Sequence, residues 1–429
     1  MPDARELSNE PIILTDIGEL VVVPPGPLRG ARMRGLQRIR GAALRIDAGR
    51  ISWFGPHSEI PAANSAKARR VSAGGGCVIP GLIDCHTHIP FAGNRADEFV
   101  RRIAGESYLS IMQSGGGIRV TTRAVRAASL QTLIDENLPR LRRMLAEGVT
   151  TIECKSGYGL DADSELKQLR AVAALSRLQP AELVPTYLGA HALPAEYDGR
   201  SDEFIDALSS EALLAELRAG DDGRPLARFV DVFCDHGAFG VEQSRRYLQR
   251  AKSAGFKLKL HADELAQIGA SRLAGELSAV SADHLEHIDD AGIDALRRGG
   301  VVAVVLPGTS FCLGIPHADA RRLIDADLPV AVATDANPGS CPIESLRMAM
   351  DVACCQLRLT PEEVLCATTA NAAAAVCEAH RIGAITVGHD ADLVILETPS
   401  LDEWAYSVGR PRVRSVFKRG TLLAIDRNG

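Results

Sequence analysis

The stretch Val78-Ile79-Pro80-Gly81-Leu82-Ile83-Asp84-Cys85-His86-Thr87-His88 runs an apolar strand-like segment into two histidines one residue apart. Side chains alternate across a strand, so His86 and His88 point to one side and two imidazoles can converge on one ion. Working outward, seven further apolar segments follow: Val149 to Lys155, Leu183 to His191, Phe229 to His236, Lys257 to His261, Ala279 to His284, Val301 to Leu306 and Val330 to Asp335. Helix-period segments such as Ser129 to Glu147, Ser164 to Leu178 and Val241 to Ala254 lie between them, and this alternation is a βα repeat. With Cys77 to His88 as the first strand, the eight units predict an α/β protein built on a closed (β/α)8 TIM barrel. Six of the eight segments end in His or Asp, and the C-terminal edge of barrel strands is where such folds build active sites. A doubly wound open sheet would bind its ligand near one switch point and has no need of polar residues on so many strand ends. Neither G-x-G-x-x-G nor G-x-x-x-x-G-K-[ST] occurs to support a nucleotide-binding version.

Outside the barrel the rhythm is different. Short apolar runs (Ile12-Ile13-Leu14, Leu20 to Val23, Leu44-Arg45-Ile46, Ile51 to Gly55) alternate with Gly and Pro in the N-terminal part. The C-terminal part repeats the style, with Gly388 to Asp392 leading into Leu393-Val394-Ile395-Leu396, then Val413 to Phe417 and Leu422-Leu423-Ala424. These read as strands joined by tight turns. Residues 1–76 and 380–429 are expected to meet in one small β-sandwich-like domain beside a barrel spanning 77–379.

The 429 residues carry 48 Lys plus Arg against 54 Asp plus Glu, a formal charge of −6, and are 46% hydrophobic, the composition of a soluble globular protein. No basic cluster exceeds the Arg140 to Arg143 stretch, which argues against nucleic acid or an anionic membrane as partner. No apolar run approaches the ~18 residues of a membrane span. The start Met1-Pro2-Asp3-Ala4-Arg5-Glu6 lacks the basic-then-apolar order of a signal peptide, so the expected compartment is the cytoplasm. Ten cysteines without a Cys-x-x-Cys pair read mostly as buried reduced thiols.

His261 closes the fifth strand in Lys259-Leu260-His261-Ala262-Asp263-Glu264, and Asp335 closes the eighth in Ala333-Thr334-Asp335-Ala336-Asn337. An H-x-H pair alone is more often a pair of surface or hydrogen-bonded core histidines. His86, His88, His261 and Asp335 together form a mixed nitrogen and oxygen set that suits a borderline metal with room for water. A metal of this kind lowers the pKa of a bound water from 15.7 toward ~7 and polarises a carbonyl, so the predicted chemistry is hydrolysis. Asp335 would also take the proton of the attacking water, and His284, ending the sixth strand, would polarise the carbonyl. Glu264, three residues beyond His261, would carry a proton to the substrate nitrogen, a task that favours a carboxyl pKa raised by burial. Without the metal ligands nearby, His284 would read as a buried hydrogen bond and Glu264 as a solvated loop charge.

These residues resemble the amidohydrolase superfamily. Val78 to His88 is similar to its P-G-x-I-D-x-H-x-H opening and Gly388 to Leu396 to its G-x-x-A-D-L-V-x-x closing strand, so the resemblance covers nearly the whole chain. It implies a barrel with metal at the strand C-termini and a small β domain made from both chain ends. Two-metal members bridge their ions with a carboxylated lysine on strand four. Strand four here ends Val232-Phe233-Cys234-Asp235-His236, which points to a single metal, and Lys155 at the end of strand two reads as an ion-paired or hydrogen-bonded lysine.

Six strings in order resemble the imidazolonepropionase family more closely: Phe91 to Arg95, Ser114 to Ile118, Lys155 to Leu160, Leu188 to His191, His261 to Glu264 and Thr334 to Gly339. The resemblance implies hydrolysis of 4-imidazolone-5-propanoate to N-formimidoyl-L-glutamate in histidine degradation, with one Zn(2+) or Fe(3+) per subunit. The substrate's own demands can be set against these residues. Arg95 offers a planar fork for the propionate carboxylate. Tyr158, His191 and Glu264 can hydrogen-bond its polar groups, and Asn337, Gly339 and Ser340 could hold the new α-carboxylate through an amide, a backbone N–H and a hydroxyl. Gly115 to Gly117 reads as a mobile loop covering substrate, Gln267 as a possible helper, and Asp235 and His236 have no assigned part. A deaminase acting on a heterocyclic or formimino substrate would use the same metal set, but a neutral base needs amide-type partners where Arg95, Tyr158 and His191 suit an anion. A non-catalytic barrel scaffold has no reason to keep a complete ligand set. A homodimer is expected from its commonness and from the family.

Overall fold

In a computed structural model residues 11–61, 68–106, 110–111, 114–221 and 223–423 are described; Met1 to Glu6 and Ala424 lie outside them. The N-terminal part forms β1 (Ile12–Val22), β2 (Gln37–Asp47), β3 (Arg50–Pro56), β4 (Arg69–Ser72) and β5 (Cys77–Pro80). The barrel strands are β6 (Leu82–Asp84), β7 (Val149–Lys155), β8 (Glu182–Ala190), β9 (Phe229–Cys234), β10 (Lys257–Ala262), β11 (Ser281–His284), β12 (Val302–Val305) and β13 (Val330–Val332). The chain returns through β14 (Leu393–Leu396), β15 (Val413–Lys418) and β16 (Thr421–Leu423).

β6 to β13 pair side by side in sequence order, all in parallel. Helices cover their outer faces, which is why these strands read as continuous apolar runs rather than alternating ones. The expected helices form at Leu130–Ala146, Ala162–Leu175 and Val241–Ser253. Ser129 and Asp161 cap the first two by accepting the N–H groups of Thr132 and Ser164, satisfying donors that the helix itself leaves open. The ring closes between β13 and β6. Asp335 N–H donates to His86 O at 3.0 Å, His88 N–H donates to Ala336 O at 3.0 Å, and Thr334 Oγ1 donates to Asp84 at 2.7 Å. The closure runs through the residues that carry the two ends of the predicted ligand set.

The stretch 77–88, read from sequence as one strand, is divided at Gly81. β5 pairs with β1 and β14 in the terminal sheet, and only the three residues of β6 enter the barrel. Gly81 N–H donates to Asp392 O at 2.7 Å, and a Cβ there would lie 2.4 Å from Thr150 Oγ1. The close approach of the two sheets demands glycine, and the chain changes sheet at that point.

Both chain ends meet in a sheet of order β16-β15-β14-β5-β1-β2-β3, with β4 against β1. It holds its own apolar core, including Ile12, Leu14, Leu44, Val78, Leu393 and Phe417. Asn371 ties this part to the barrel. Its Oδ1 accepts Leu28 N–H at 2.7 Å, and its Nδ2 donates to Leu28 O at 3.0 Å and Val330 O at 2.8 Å, all buried. Asn371→Leu would orphan one buried N–H and two carbonyls at ~1–3 kcal/mol each. The expected loss in unfolding free energy is ~3 kcal/mol or more by denaturant titration, and a loss under about 1 kcal/mol would show that these bonds do not hold the two parts together.

The ten cysteines are free thiols, six of them buried. Among the described residues no helix is long and apolar enough to cross a membrane.

Candidate active site

His86 and His88 follow β6, His261 lies on β10, His284 ends β11 and Asp335 follows β13. The backbone is left-handed at His284 (φ 82°) and Asp335 (φ 57°), a sparsely populated conformation for non-glycine residues that concentrates where side chains must be aimed into a site. His88 Nε2 lies 3.3 Å from His86 Nε2, 3.4 Å from His261 Nε2 and 3.1 Å from Asp335 Oδ1. Burial depresses His86 well below the ordinary histidine value and lowers His88, so both are neutral and carry lone pairs. Burial alone would raise the Asp335 carboxyl, but His88 and the Thr309 hydroxyl, donating to Oδ2 at 2.6 Å, hold it below the usual carboxylate range.

The residues fit a metal ion. Three imidazole nitrogens converge at 3.3–3.4 Å, a spacing that suits a cation between them, and Asp335 Oδ1 is buried without a hydrogen-bond partner. Three imidazoles and one carboxylate are a borderline-metal donor set. His284 joins His86 and His261 in a second buried group whose ligating atoms lie within 4.8 Å of one another.

Beneath this cluster lies a charged floor. Lys155 Nζ reaches Asp231 at 2.8 Å, Glu153 at 3.1 Å and Asp283 at 3.6 Å, and Lys259 Nζ reaches Glu153 at 2.8 Å, every one of these side chains fully buried. Asp283 Oδ2 in turn lies 2.6 Å from His86 Nδ1, and Asp231 Oδ2 lies 3.2 Å from His261 Nδ1. Each carboxylate can hold its imidazole with the proton on Nδ1 and the Nε2 lone pair toward the ion. Lys155 is thus the ion-paired lysine expected from sequence. Asp231, Asp283, Glu153 and Lys259 were not singled out as site residues. Their signal was available: a charge inside an apolar strand run, as in Phe229-Val230-Asp231-Val232 and Leu258-Lys259-Leu260, marks an inward position that must be paired.

On the open side, His284 Nε2 and Glu264 Oε2 are 3.5 Å apart. Burial pulls His284 down to about 3, leaving it neutral. Burial, reinforced by Glu286, Asp335 and Asp235, pushes Glu264 well above the usual carboxyl value, which favours its protonated form. Asp235, unassigned from sequence, anchors that loop. Its carboxylate accepts the N–H groups of His236, Glu264, Leu265 and Ala266 at 2.6–3.0 Å. His236 is exposed and outside the cluster, while Gln267 is half-buried with its amide beside Asp289. Glu286, also missed, is pushed up to about 8 by burial and accepts the Ser310 hydroxyl at 3.1 Å.

Tyr158 and His191 do reach the cluster. Their ring centroids lie 5.8 and 5.0 Å from that of His88, and the His191 ring is stacked on it. His191 Nδ1 sits 2.8 Å from Gly157 O, and burial keeps the ring neutral. The proton therefore sits on Nδ1, and Nε2 is left as an acceptor. Arg95 binds Glu98 through Nε and Nη2 at 2.9 and 2.6 Å, while its Nη1 lies against Gly339, where a Cβ would come within 2.1 Å of it. Glu98 also accepts Gly117 N–H at 3.1 Å, tethering the glycine segment to the same carboxylate. Beside Arg95 opens a cavity of about 330 Å³ lined also by Phe99, Arg140, Asn337, Gly339 and Glu344. The Asn337 segment differs from expectation. The N–H groups of Gly339 and Ser340 both donate to Asn337 Oδ1 at 2.8 Å, and Asn337 Nδ2 donates to Asp335 O at 2.7 Å. An Asx-type turn consumes the donors that the sequence offered for a carboxylate and instead braces Asp335.

The sequence model of the amidohydrolase family matches residues 77–423. The imidazolonepropionase of Symbiobacterium thermophilum is 46% identical over 415 residues, 96% of this chain and 97% of that one. The imidazolonepropionase of Bacillus velezensis is 45% identical over 420 residues, 97% of each. Among solved structures, 5-methylcytosine deaminase from Klebsiella pneumoniae is similar with a TM-score of 0.70 at 17% identity, covering 97% of each chain. An adenosine deaminase from Xanthomonas campestris with bound zinc gives 0.68 at 20% identity, covering 96% of this chain and 92% of that one. At such identities the two structures speak for the fold alone. By its full-length relatives and its strand-end histidines and aspartate, the chain belongs to the imidazolonepropionase family of amidohydrolases.

Proposed function

We propose that this chain hydrolyses the cyclic amide of 4-imidazolone-5-propanoate to N-formimidoyl-L-glutamate, using His86, His88, His261 and Asp335 to hold one zinc or iron ion. The observation that carries the reading is Glu264 facing His284 at 3.5 Å beside Asp335, with burial favouring the protonated form of Glu264 and the neutral form of His284. These are an acid, a hydrogen-bond donor and a base around one point, which opening of a lactam requires. The bound ion would supply a water acidified to neutral pH and a Lewis acid for the ring carbonyl. Asp335 takes the proton released as water adds to that carbonyl, and His284 donates a hydrogen bond to the oxygen as it gains charge. Glu264 gives its proton to the ring nitrogen as the C–N bond breaks and regains one from Asp335, so the proton count closes. Tyr158 and His191 orient the ring, and Arg95 faces the propionate. Asn337 braces the loop carrying Gly339 and Ser340. A composite β domain (1–76 and 380–429) beside a catalytic barrel (77–379), a homodimeric state and a cytoplasmic location belong to the same reading; the two separate sheets support the division.

The test uses purified protein assayed for metal and mixed with freshly generated 4-imidazolone-5-propanoate. Loss of ring absorbance and appearance of N-formimidoyl-L-glutamate are expected, abolished by a chelator and by Asp335→Ala. No turnover by metal-replete protein would overturn the reading, as would ammonia release from heterocyclic amines in its place.

A further inference from the structure

The helix Ala96–Ile103 beside the site mouth carries two consecutive arginines near its end. Arg101 is spent, bound to Glu106 through Nε and Nη2 at 2.7 and 2.6 Å. Arg102 turns the other way. Its Nη1 reaches Gly339 O at 3.4 Å and its guanidinium lies 5.8 Å from the Phe99 ring centroid. Its Nε and Nη2 are buried and, among the described residues, have no hydrogen-bond partner. The other arginines at this rim have carboxylates: Arg95 has Glu98, and Arg140 and Arg143 share Glu344. Arg102 has none among the described residues.

A buried guanidinium with open N–H groups is costly, and a native site keeps one where an anion is to arrive. Two guanidiniums border one residue here. Arg95 Nη1 crowds the α-carbon of Gly339 and Arg102 Nη1 its carbonyl. Arg95 is already neutralised by Glu98, so among the described residues the pair carries one uncompensated positive charge, that of Arg102. Gly339 lies four residues beyond Asp335 in the chain, so the Arg102 guanidinium borders the segment that follows the candidate metal ligand.

We infer that Arg102 is an anion-binding residue of the substrate site, contributing the unpaired charge that seats a carboxylate beside Gly339 together with Arg95. The inference rests on the proposed function, whose substrate bears one such carboxylate. Arg102's planar fork matches a carboxylate edge-on, and one substrate anion would balance the charge of Arg102, which has no carboxylate among the described residues.

The test compares wild type, Arg102→Met and Arg102→Lys as full-length metal-loaded protein. Substrate kinetics are read together with calorimetric binding of imidazole-4-propanoate and of the neutral 4-propylimidazole. Arg102→Met is expected to raise KM and weaken imidazole-4-propanoate by ~10–100-fold, the loss expected for a hydrogen bond to a charged group. kcat stays within about threefold, because binding lost equally from ground and transition states appears in KM. The neutral ligand should bind unchanged, and Arg102→Lys should lose only about 3–10-fold in anion affinity. Equal weakening of both ligands would assign Arg102 to packing and overturn the inference, as would unchanged anion affinity in Arg102→Met. If the methionine variant misfolds, Arg102→Lys decides. Anion affinity about 3–10-fold weaker with the neutral ligand unaffected supports the role, and parallel losses overturn it. Lack of turnover by wild type would instead count against the hydrolase reading.

Discussion

Glu264→Gln is expected to lower kcat by ~10²–10⁴-fold, the range for removing a positioned general acid or base, while metal content and melting temperature stay at wild-type values. The carboxyl is buried among Glu286, Asp335 and Asp235, which favours its protonated form. Glutamine reproduces its shape and its donor but has no proton to hand to a leaving nitrogen. The loop should not move, because Asp235 holds it through the backbone N–H groups of Glu264, Leu265 and Ala266 rather than through the Glu264 side chain. Metal analysis, thermal unfolding and single-turnover kinetics on the same preparation separate these effects. Ring opening at the normal rate, with normal substrate and metal binding, would remove Glu264 from the proton path.

The second large effect is expected at a residue that touches neither substrate nor metal. Lys155→Met should cost ~3–5 kcal/mol of stability and weaken metal binding by ~10–100-fold. Burial works against the Lys155 ammonium, but Asp231, Glu153 and Asp283 outweigh it and keep the charge in place. Removing that charge leaves three carboxylates in the barrel interior with Lys259 alone, and breaking one member out of a buried ion cluster costs far more than the cluster contributes by existing. The metal effect has a separate route. Lys155 locates Asp231 and Asp283, and these stand behind His261 and His86. Denaturant titration gives the first figure, and competition with a chromogenic chelator gives the second. Wild-type stability and metal affinity in Lys155→Met would show that the floor neither supports the fold nor orients its histidines. Asp283→Ala, which removes one charge from an acidic cluster rather than adding imbalance to it, should weaken the metal with a smaller loss of stability.

Much of this molecule is readable in one dimension because strands and helices leave different periods. The continuous apolar runs of a parallel barrel, the histidines at their ends and the two-residue spacing of His86 and His88 follow from local geometry alone. So does the spacing of Glu153 and Lys155, whose meaning becomes visible only when Asp231, Lys259 and Asp283 arrive from three other strands. The break at Gly81 was hidden for a related reason. An apolar run does not state which of two sheets it joins, and that was decided by Thr150 and Asp392 pressing against one α-carbon.

The residue types of the candidate metal site, the barrel and the strand edge that carries that site were thus determined by the sequence, because each depends on residue identity and on repeat distances along the chain. Which charges lie under the candidate ligands and which carboxylate fixes the Glu264 loop were decided only by tertiary structure. Each of these depends on a partner tens to hundreds of residues away, and pairing across such distances is set by how the barrel closes and not by any local propensity.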